Sequence, residues 1–244
     1  MPRLNGRLHD QLRTIQLTTG TNPHAEGSCL VKFGLTEVLC TASVQDKVPQ
    51  WLRGKGQGWL TAEYGMLPRA TAERKDREST RGKQDGRTVE IQRLIGRSLR
   101  SVCDLKPLDG YTIWVDCDVM VADGGTRTAA ITGAYVALAL ALKDMASRKL
   151  LKSSQPILKE HIAAVSVGVG AAGDILLDMD YAEDSSTLAD GNFVMSGQGH
   201  WVEMQISGEQ RPLRADELTA MQQVAQKGIA ELFSLQQQIL AAAS

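Results

Sequence analysis

Between a β-type run and an apolar helical run the chain reads Asp123-Gly124-Gly125-Thr126-Arg127-Thr128. Glycines at such a junction let successive backbone N–H groups point into one concavity, and the start of the helix adds a partial positive charge. Thr126 can donate a hydroxyl hydrogen bond, and Arg127 can hold an oxyanion through two parallel bonds. Gly125, Thr126 and Arg127 are therefore candidate ligands for inorganic phosphate. The same string also fits a plain strand-to-helix turn, and it lacks the Gly-Lys-Ser/Thr ending of a Walker loop. Arg87, which follows Gly86 just before a second helical run, is a further candidate oxyanion ligand. On local evidence alone, a surface arginine is the plainer reading of it.

Acidic residues crowd a later stretch: Asp178, Asp180, Glu183, Asp184 and Asp190. Carboxylates brought together repel one another unless a cation joins them, and hard oxygen ligands favour Mg²⁺. An acidic surface loop between strands explains the same residues equally well. Asp116 and Asp118 would share one face of a strand, either as catalytic carboxylates or, more simply, as structural acids near arginines. Seven cations fall in residues 69–87 (Arg69, Arg74, Lys75, Arg77, Arg81, Lys83 and Arg87), diluted by four acids to +3. Arginine's planar fork suits phosphodiester oxygens. A helix there would set Arg74, Arg77 and Arg81 on one side, as an RNA-binding strip or as a solvated, internally paired face. No GxSxG elbow, HExxH pair or CxxC knuckle is present.

These residues need elements to position them. Residues 28–44 read as a β-hairpin about Gly34, and residues 111–121 as an alternating strand. Ile91, Leu94, Ile95, Ser98, Leu99 and Val102 share a helical face, with Arg93, Arg97 and Arg100 opposite. That arginine stripe is expected to meet RNA or, slightly better, a neighbouring subunit. A small-residue helix is expected over 129–145 and a polar connector over 147–160. Four more strands follow, and a long helix over about 216–240 carries Leu218, Met221, Ala225, Leu232 and Ile239 as its apolar stripe. Each half is thus strands followed by a helix, which makes the fold α+β with two layers.

The 244 residues suffice for one large core or two fused ones, with 43% hydrophobic and 23% charged residues as in ordinary soluble proteins. Residues 129–142, the richest apolar stretch, are interrupted and too short for a bilayer span. No secretory h-region is seen, so a cytoplasmic protein that does not engage membranes is expected. The net charge of −1 conceals an asymmetry: residues 1–100 hold 17 Lys/Arg against 10 Asp/Glu, the remainder 10 against 18. Such a chain can hold an anionic polymer with its first half and a divalent cation with its second, or neutralise itself across an interface. The four cysteines lie apart and read as buried thiols.

Taken together, HAEGSCLVKFGLTEVLCTASV from His24, GKGQGWLTAEYGMLPRAT from Gly54, GRTVEIQRLIGRSLR from Gly86 and VDCDVMVADGGTRTAAITGAYVAL from Val115 resemble the ribonuclease PH family. AAVSVGVG and DYAEDSS extend the resemblance through the second half. It implies a ribosomal-protein-S5-domain-2-like α+β unit (residues 1–146), the connector (147–160) and a second α+β unit (161–244). It also implies a homohexameric ring, a trimer of dimers. The implied activity is phosphate-dependent 3′-to-5′ trimming of tRNA precursors, releasing nucleoside diphosphates. By the same resemblance Arg87, Gly125, Thr126 and Arg127 hold phosphate, Asp184 and Asp190 are catalytic and bind Mg²⁺, and Arg69, Arg74 and Arg77 guide RNA. A silent, RNA-binding ring subunit and a metal-dependent hydrolase are the competing expectations. Three departures from the family pattern stand out. RPDGR-like reads RLNGR at residues 3–7, Asp-Met-Asn reads Asp190-Gly191-Asn192, and Gln-Gly-Thr-Ala-Glu reads Gln205-Ile206-Ser207-Gly208-Glu209. The second is expected to loosen a metal loop, and all three to affect packing or rate rather than chemistry.

Overall fold

A computed structural model describes residue 3, residues 6–151 and residues 155–243. Among these, a first sheet contains β1 (Ile15–Thr19), β2 (Gly27–Phe33), β3 (Thr36–Gln45), β4 (Trp59–Met66) and β5 (Thr112–Val121), in the order β1-β2-β3-β5-β4. The β2–β3 hairpin closes on Phe33↔Thr36 around Gly34, whose φ of 58° is the left-handed geometry a tight turn demands. Between β4 and β5 lie the one-turn α1 (Glu78–Arg81) and α2 (Gly86–Ser101). A helical crossover of that length is what lets β4 pair with β5 in parallel. The second sheet contains β6 (Ile162–Val169), β7 (Ile175–Leu177), β8 (Ala189–Ser196) and β9 (Trp201–Gly208), ordered β7-β6-β8-β9 and antiparallel throughout.

Helix α3 (Thr126–Ser147) joins the two sheets. It packs on β2 and β3 of the first and on β6 of the second, where Thr132 Oγ1 accepts from Ala164 N–H at 3.2 Å. Its 22 residues are long and apolar enough to cross a bilayer, which corrects the expectation of too short a stretch. Burial between sheets accounts for an apolar helix without a polar face. α5 (Ala215–Ala242) covers β6 and β7, and its buried Gln236 amide donates to Thr132 O and Ile162 O. One apolar core therefore runs through both halves.

One local expectation fails. Residues 71–77 are not helical, and α1 contains only Glu78–Arg81, so Arg74, Arg77 and Arg81 do not share a helix face. Without a large aliphatic residue the segment has nothing to bury, and helix nucleation goes uncompensated. β1 and α4 (Tyr181–Asp184) are further elements that periodicity does not reveal. Residues 152–154 of the expected connector lie outside the described residues. The stretch after them is tied back to the end of α2, with Ile157 O accepting from Asp104 N–H at 2.7 Å and Val102 O from Lys159 N–H at 2.9 Å.

Gly133 marks the closest approach of α3 to the first sheet. A methyl group there would lie 2.5 Å from Val31 Cγ1 and 3.0 Å from Cys40 Sγ, against strands whose branched side chain cannot swing aside. Gly133→Ala should gain roughly 1 kcal/mol of helix propensity and lose more to overpacking, about 1–3 kcal/mol. Urea unfolding should show a lower midpoint at an unchanged slope.

Candidate active site

The glycine loop hangs between β5 and α3. Gly124 and Gly125 have φ of 75° and 63°, and a side chain on Gly124 would collide with Met179 O at 2.5 Å. The loop is clamped from two sides. Thr36 Oγ1 donates to Gly124 O at 2.7 Å and accepts from Asp123 N–H at 2.9 Å. Arg13 donates to Asp123 O at 2.5 Å while gripping Asp178 through Nη2–Oδ1 (2.7 Å) and Nε–Oδ2 (3.0 Å). The first helical bond of α3 runs from Ala129 N–H to Gly125 O, so the N–H groups of the first turn stand ahead of it. That is an anion-binding geometry.

Thr126 Oγ1 lies 2.8 Å from the buried Tyr64 hydroxyl on β4. Burial pushes the Tyr64 phenol upward, while the Thr126 bond and the charges of Arg87 and Arg127 pull it back. Both guanidinium groups also pull down Asp184, which burial raises on balance. Arg87, the adjacent Thr126 and Arg127, and Asp184 thus come from three distant stretches to one place. Tyr64 joins them with no local sequence signal beyond its place in a strand.

Arg127 is held in turn. Nη1 donates to Gln205 Oε1 at 2.8 Å and lies 3.4 Å from Glu90, and Gln205 Nε2 donates to Glu90 at 2.8 Å and to Glu203 at 3.2 Å. Arg97 closes this chain with a bidentate grip on Glu203 at 2.6–2.8 Å. Arg100 donates to Leu60 O at 2.9 Å and stands 4.8 Å over the Trp59 ring. Of the expected stripe, Arg93 and Arg97 are exposed, Arg97 while pairing with Glu203, and Arg100 is half-buried against its own chain.

The acidic cluster divides. Asp178 is neutralised by Arg13, and Glu183 by Arg3 and Arg7, while Asp180 caps α4 by accepting from Glu183 N–H at 3.0 Å. Arginines thus supply the cation for part of the cluster, leaving Asp184 and Asp190 without an ion pair among the described residues. Glu209, just beyond β9, joins these two. Burial, Asp184 and Glu209 push Asp190 up to about 6. No group of three or more His, Cys, Asp or Glu side chains among the described residues is arranged to hold a metal alone. Asp184 and Asp190 form a carboxylate pair of the kind that takes Mg²⁺ with substrate oxygens and water completing its shell.

Arg69 is exposed beside the loop, since Ala70 O accepts from Ala122 N–H at 2.7 Å. Arg74 is exposed and paired to Asp76 at 2.9 Å. Arg77 lines a cleft of about 740 Å³ together with Arg81, Arg87, Glu63, Asp116 and Asp118. Among the described residues the two aspartates form no ion pair, although arginines line the same cleft; burial raises both, with Glu63 and Asp118 adding to Asp116.

Two departures from the family pattern meet each other. Gly191 is a mid-strand residue of β8 opposite Ile206 of β9, not part of a mobile loop. A methyl group on Gly191 would lie 3.1 Å from Ile206 Cγ1 and 3.2 Å from Met221 Cε. Relative to the pattern that the resemblance implies, the large and small side chains have exchanged strands on the α5 side, while Asp190 and Gln205 face the other way. Of the RLNGR stretch, Leu4 and Asn5 lie outside the described residues.

Residues 11–143 match domain 1 of the 3′ exoribonuclease family and residues 161–228 match domain 2. Among solved structures, rice (Oryza sativa) Rrp46 superposes with a TM-score of 0.76 at 19% identity, over 99% of each chain. An Archaeoglobus fulgidus exosome with RNA bound to the active site gives 0.77 at 22% identity, over 97% of this chain and 92% of that one. An archaeal exosome core gives 0.74 at 20%, over 96% and 91%. At these identities the likeness concerns the fold.

Because the Asp190 carboxyl is raised to about 6 in the folded chain, its contribution to stability is full below pH ~4 and lost as pH rises through about 6. Metal-free Asp190→Asn should therefore be more stable than the parent at pH 7.5, by about 1 kcal/mol after solvent screening, with the gap closing at pH 4. Thermal melts in chelator at both pH values measure this, and an equal or lower midpoint at pH 7.5 rejects it. Separately, Gly191→Met and Ile206→Gly should each destabilise the fold. The double variant should recover at least about 1 kcal/mol relative to their sum in a double-mutant cycle.

Proposed function

The chain belongs to the 3′ exoribonuclease family, and on that premise we propose that it shortens RNA 3′ ends by phosphorolysis, releasing nucleoside diphosphates. The observation that carries this reading is the adjacency of an arginine-lined anion pocket and an unpaired carboxylate pair, with Arg87 and Arg127 acting on both Tyr64 and Asp184. Phosphate is held by the first turn of α3, the Thr126 hydroxyl, Arg87 and Arg127. Tyr64 fixes the threonine, and Gln205 with Glu90 fixes the guanidinium of Arg127. An oxygen of the bound hydrogen phosphate attacks the terminal phosphodiester. The new P–O bond joins the two phosphates, the bond to the preceding 3′ oxygen breaks, and that oxygen takes the proton carried by the attacking phosphate. The protein's part is placement and charge neutralisation, since phosphate itself is the nucleophile. Mg²⁺ held by Asp184 and Asp190 would supply further positive charge at the phosphodiester.

Exposed Arg69 and Arg77 lead the strand toward this pocket, and Arg74 continues the strip. An RNA-bound exosome among the fold relatives supports RNA as the polymer. The resemblance supports tRNA precursors as substrates, a homohexameric ring as the working form and the cytoplasm as its place. A silent ring subunit is the alternative. The retention of Arg87, Thr126, Arg127, Asp184 and Asp190 favours an active enzyme.

The test is incubation with Mg²⁺ and a tRNA carrying a 3′ extension. Trimming that requires added phosphate and yields diphosphates is expected, and Asp190→Asn should abolish it while RNA binding persists. RNA binding without trimming identifies a silent subunit. Release of monophosphates without phosphate identifies a hydrolase.

A further inference from the structure

We propose that Tyr181 is the stacking platform for the terminal nucleobase of the bound RNA, an inference that rests on the phosphorolytic reading above. Tyr181 is a large apolar side chain left 66% exposed. Among the described residues, its side chain makes no hydrogen bond or ring contact. It opens the single turn of α4, whose last residue is Asp184. Three positions apart on a helical turn, the two side chains stand on the same side with about 5–6 Å between their Cβ atoms. The exposed ring is therefore a neighbour of a candidate catalytic carboxylate.

The backbone beneath the ring is fixed on several sides. Tyr181 N–H donates to Asp123 Oδ1 at 3.2 Å, which joins it to the glycine loop, and its carbonyl accepts from Ser185 N–H at 3.0 Å. Asp180 and Glu183 form a capping box around the turn, and Glu183 is held by Arg3 and Arg7. A rigid turn carrying a bare aromatic ring is a costly surface unless something flat covers it. A nucleobase hangs one sugar away from its phosphate, so a phosphodiester at Asp184 brings its own base to this ring. Every base has a π-face, so such a platform holds any 3′ nucleotide without reading its identity. That suits an enzyme that removes successive nucleotides.

The test uses the full chain and a short RNA whose 3′ nucleotide is 2-aminopurine, first without phosphate and then with it. The parent should quench the fluorophore on binding, Tyr181→Ala should lose the quenching, and Tyr181→Phe and Tyr181→Trp should keep it. In phosphorolysis, Tyr181→Ala should raise KM for RNA roughly tenfold and leave KM for phosphate unchanged, with Tyr181→Phe close to the parent. Quenching by Tyr181→Ala equal to the parent overturns the proposal. So does a loss with Tyr181→Phe, which would assign the role to the hydroxyl, or a change in oligomeric state with Tyr181→Ala, which would assign the ring to a contact between copies. A parent that quenches but never trims would sink the phosphorolytic reading and leave the platform standing. A parent that trims while Tyr181→Ala is unaffected would do the reverse.

Discussion

Arg13 and Asp178 meet out of contact with solvent, with side-chain exposures of 5% and 0%, and the geometry of the candidate site follows from that meeting. Two charges in such a place are tolerable only when each is fully paired; stripping one partner leaves an uncompensated charge costing about 3–5 kcal/mol. Asp178 also accepts from the Arg13 backbone N–H at 2.8 Å, and its own backbone takes φ of 51°, a left-handed geometry that aspartate tolerates. The remaining donors of the guanidinium reach the carbonyls of Asp123 and Gly124. One side chain thus ties the N-terminal segment to the glycine loop and to the stretch leading into α4. The glycine loop with its candidate phosphate ligands and the turn ending in Asp184 are held in register because they share this anchor.

The arginines near the candidate site divide into those engaged by carboxylates and those proposed to meet substrate. Arg3, Arg7 and Arg13 neutralise Glu183 and Asp178, and Arg97 neutralises Glu203. Arg87 remains exposed, and Arg127 leans on a neutral amide more closely than on a carboxylate. A guanidinium fixed by an amide keeps its full charge for an incoming anion, whereas a tight carboxylate pair would have to be broken first. Near them, Asp184 and Asp190 are raised by burial and, for Asp190, by each other's company. Such repulsion in the folded state is the local instability commonly found where charge chemistry is prepared.

Gly191 and Ile206 pack on the side of their sheet away from the candidate site. Alternation along β8 and β9 sends Asp190 and Gln205 to one face and Gly191 and Ile206 to the other, where Met221 of α5 covers them. A small residue on one strand opposite a large one on the other fills this side, so repacking there can leave the opposite face in place.

Much of the secondary structure was legible in the residues alone, because the hairpin, the amphipathic α2, the strand-loop-helix of β5 and α3, and the later strands each carry their own periodicity. The glycine loop, the carboxylates and the arginine strip were legible as chemical types for the same local reason. The family resemblance, and not spacing, joined them into one site. Illegible were the partners. Nothing near Asp178 announces Arg13, 165 positions away, and nothing near Arg127 announces Gln205, 78 positions away. Hence residue type alone leaves the acidic cluster open between a cation site and a surface loop, whereas arginines neutralise Asp178 and Glu183, and it gives no sign that exposed Arg97 pairs with Glu203. The charge run at residues 71–77 likewise suggested a helix that an unburied segment cannot sustain. Periodicity and residue type are properties of neighbours along the chain. Which charge meets which is settled only when the two sheets close on α3, because an ion pair depends on distance and burial, and neither exists before the fold does.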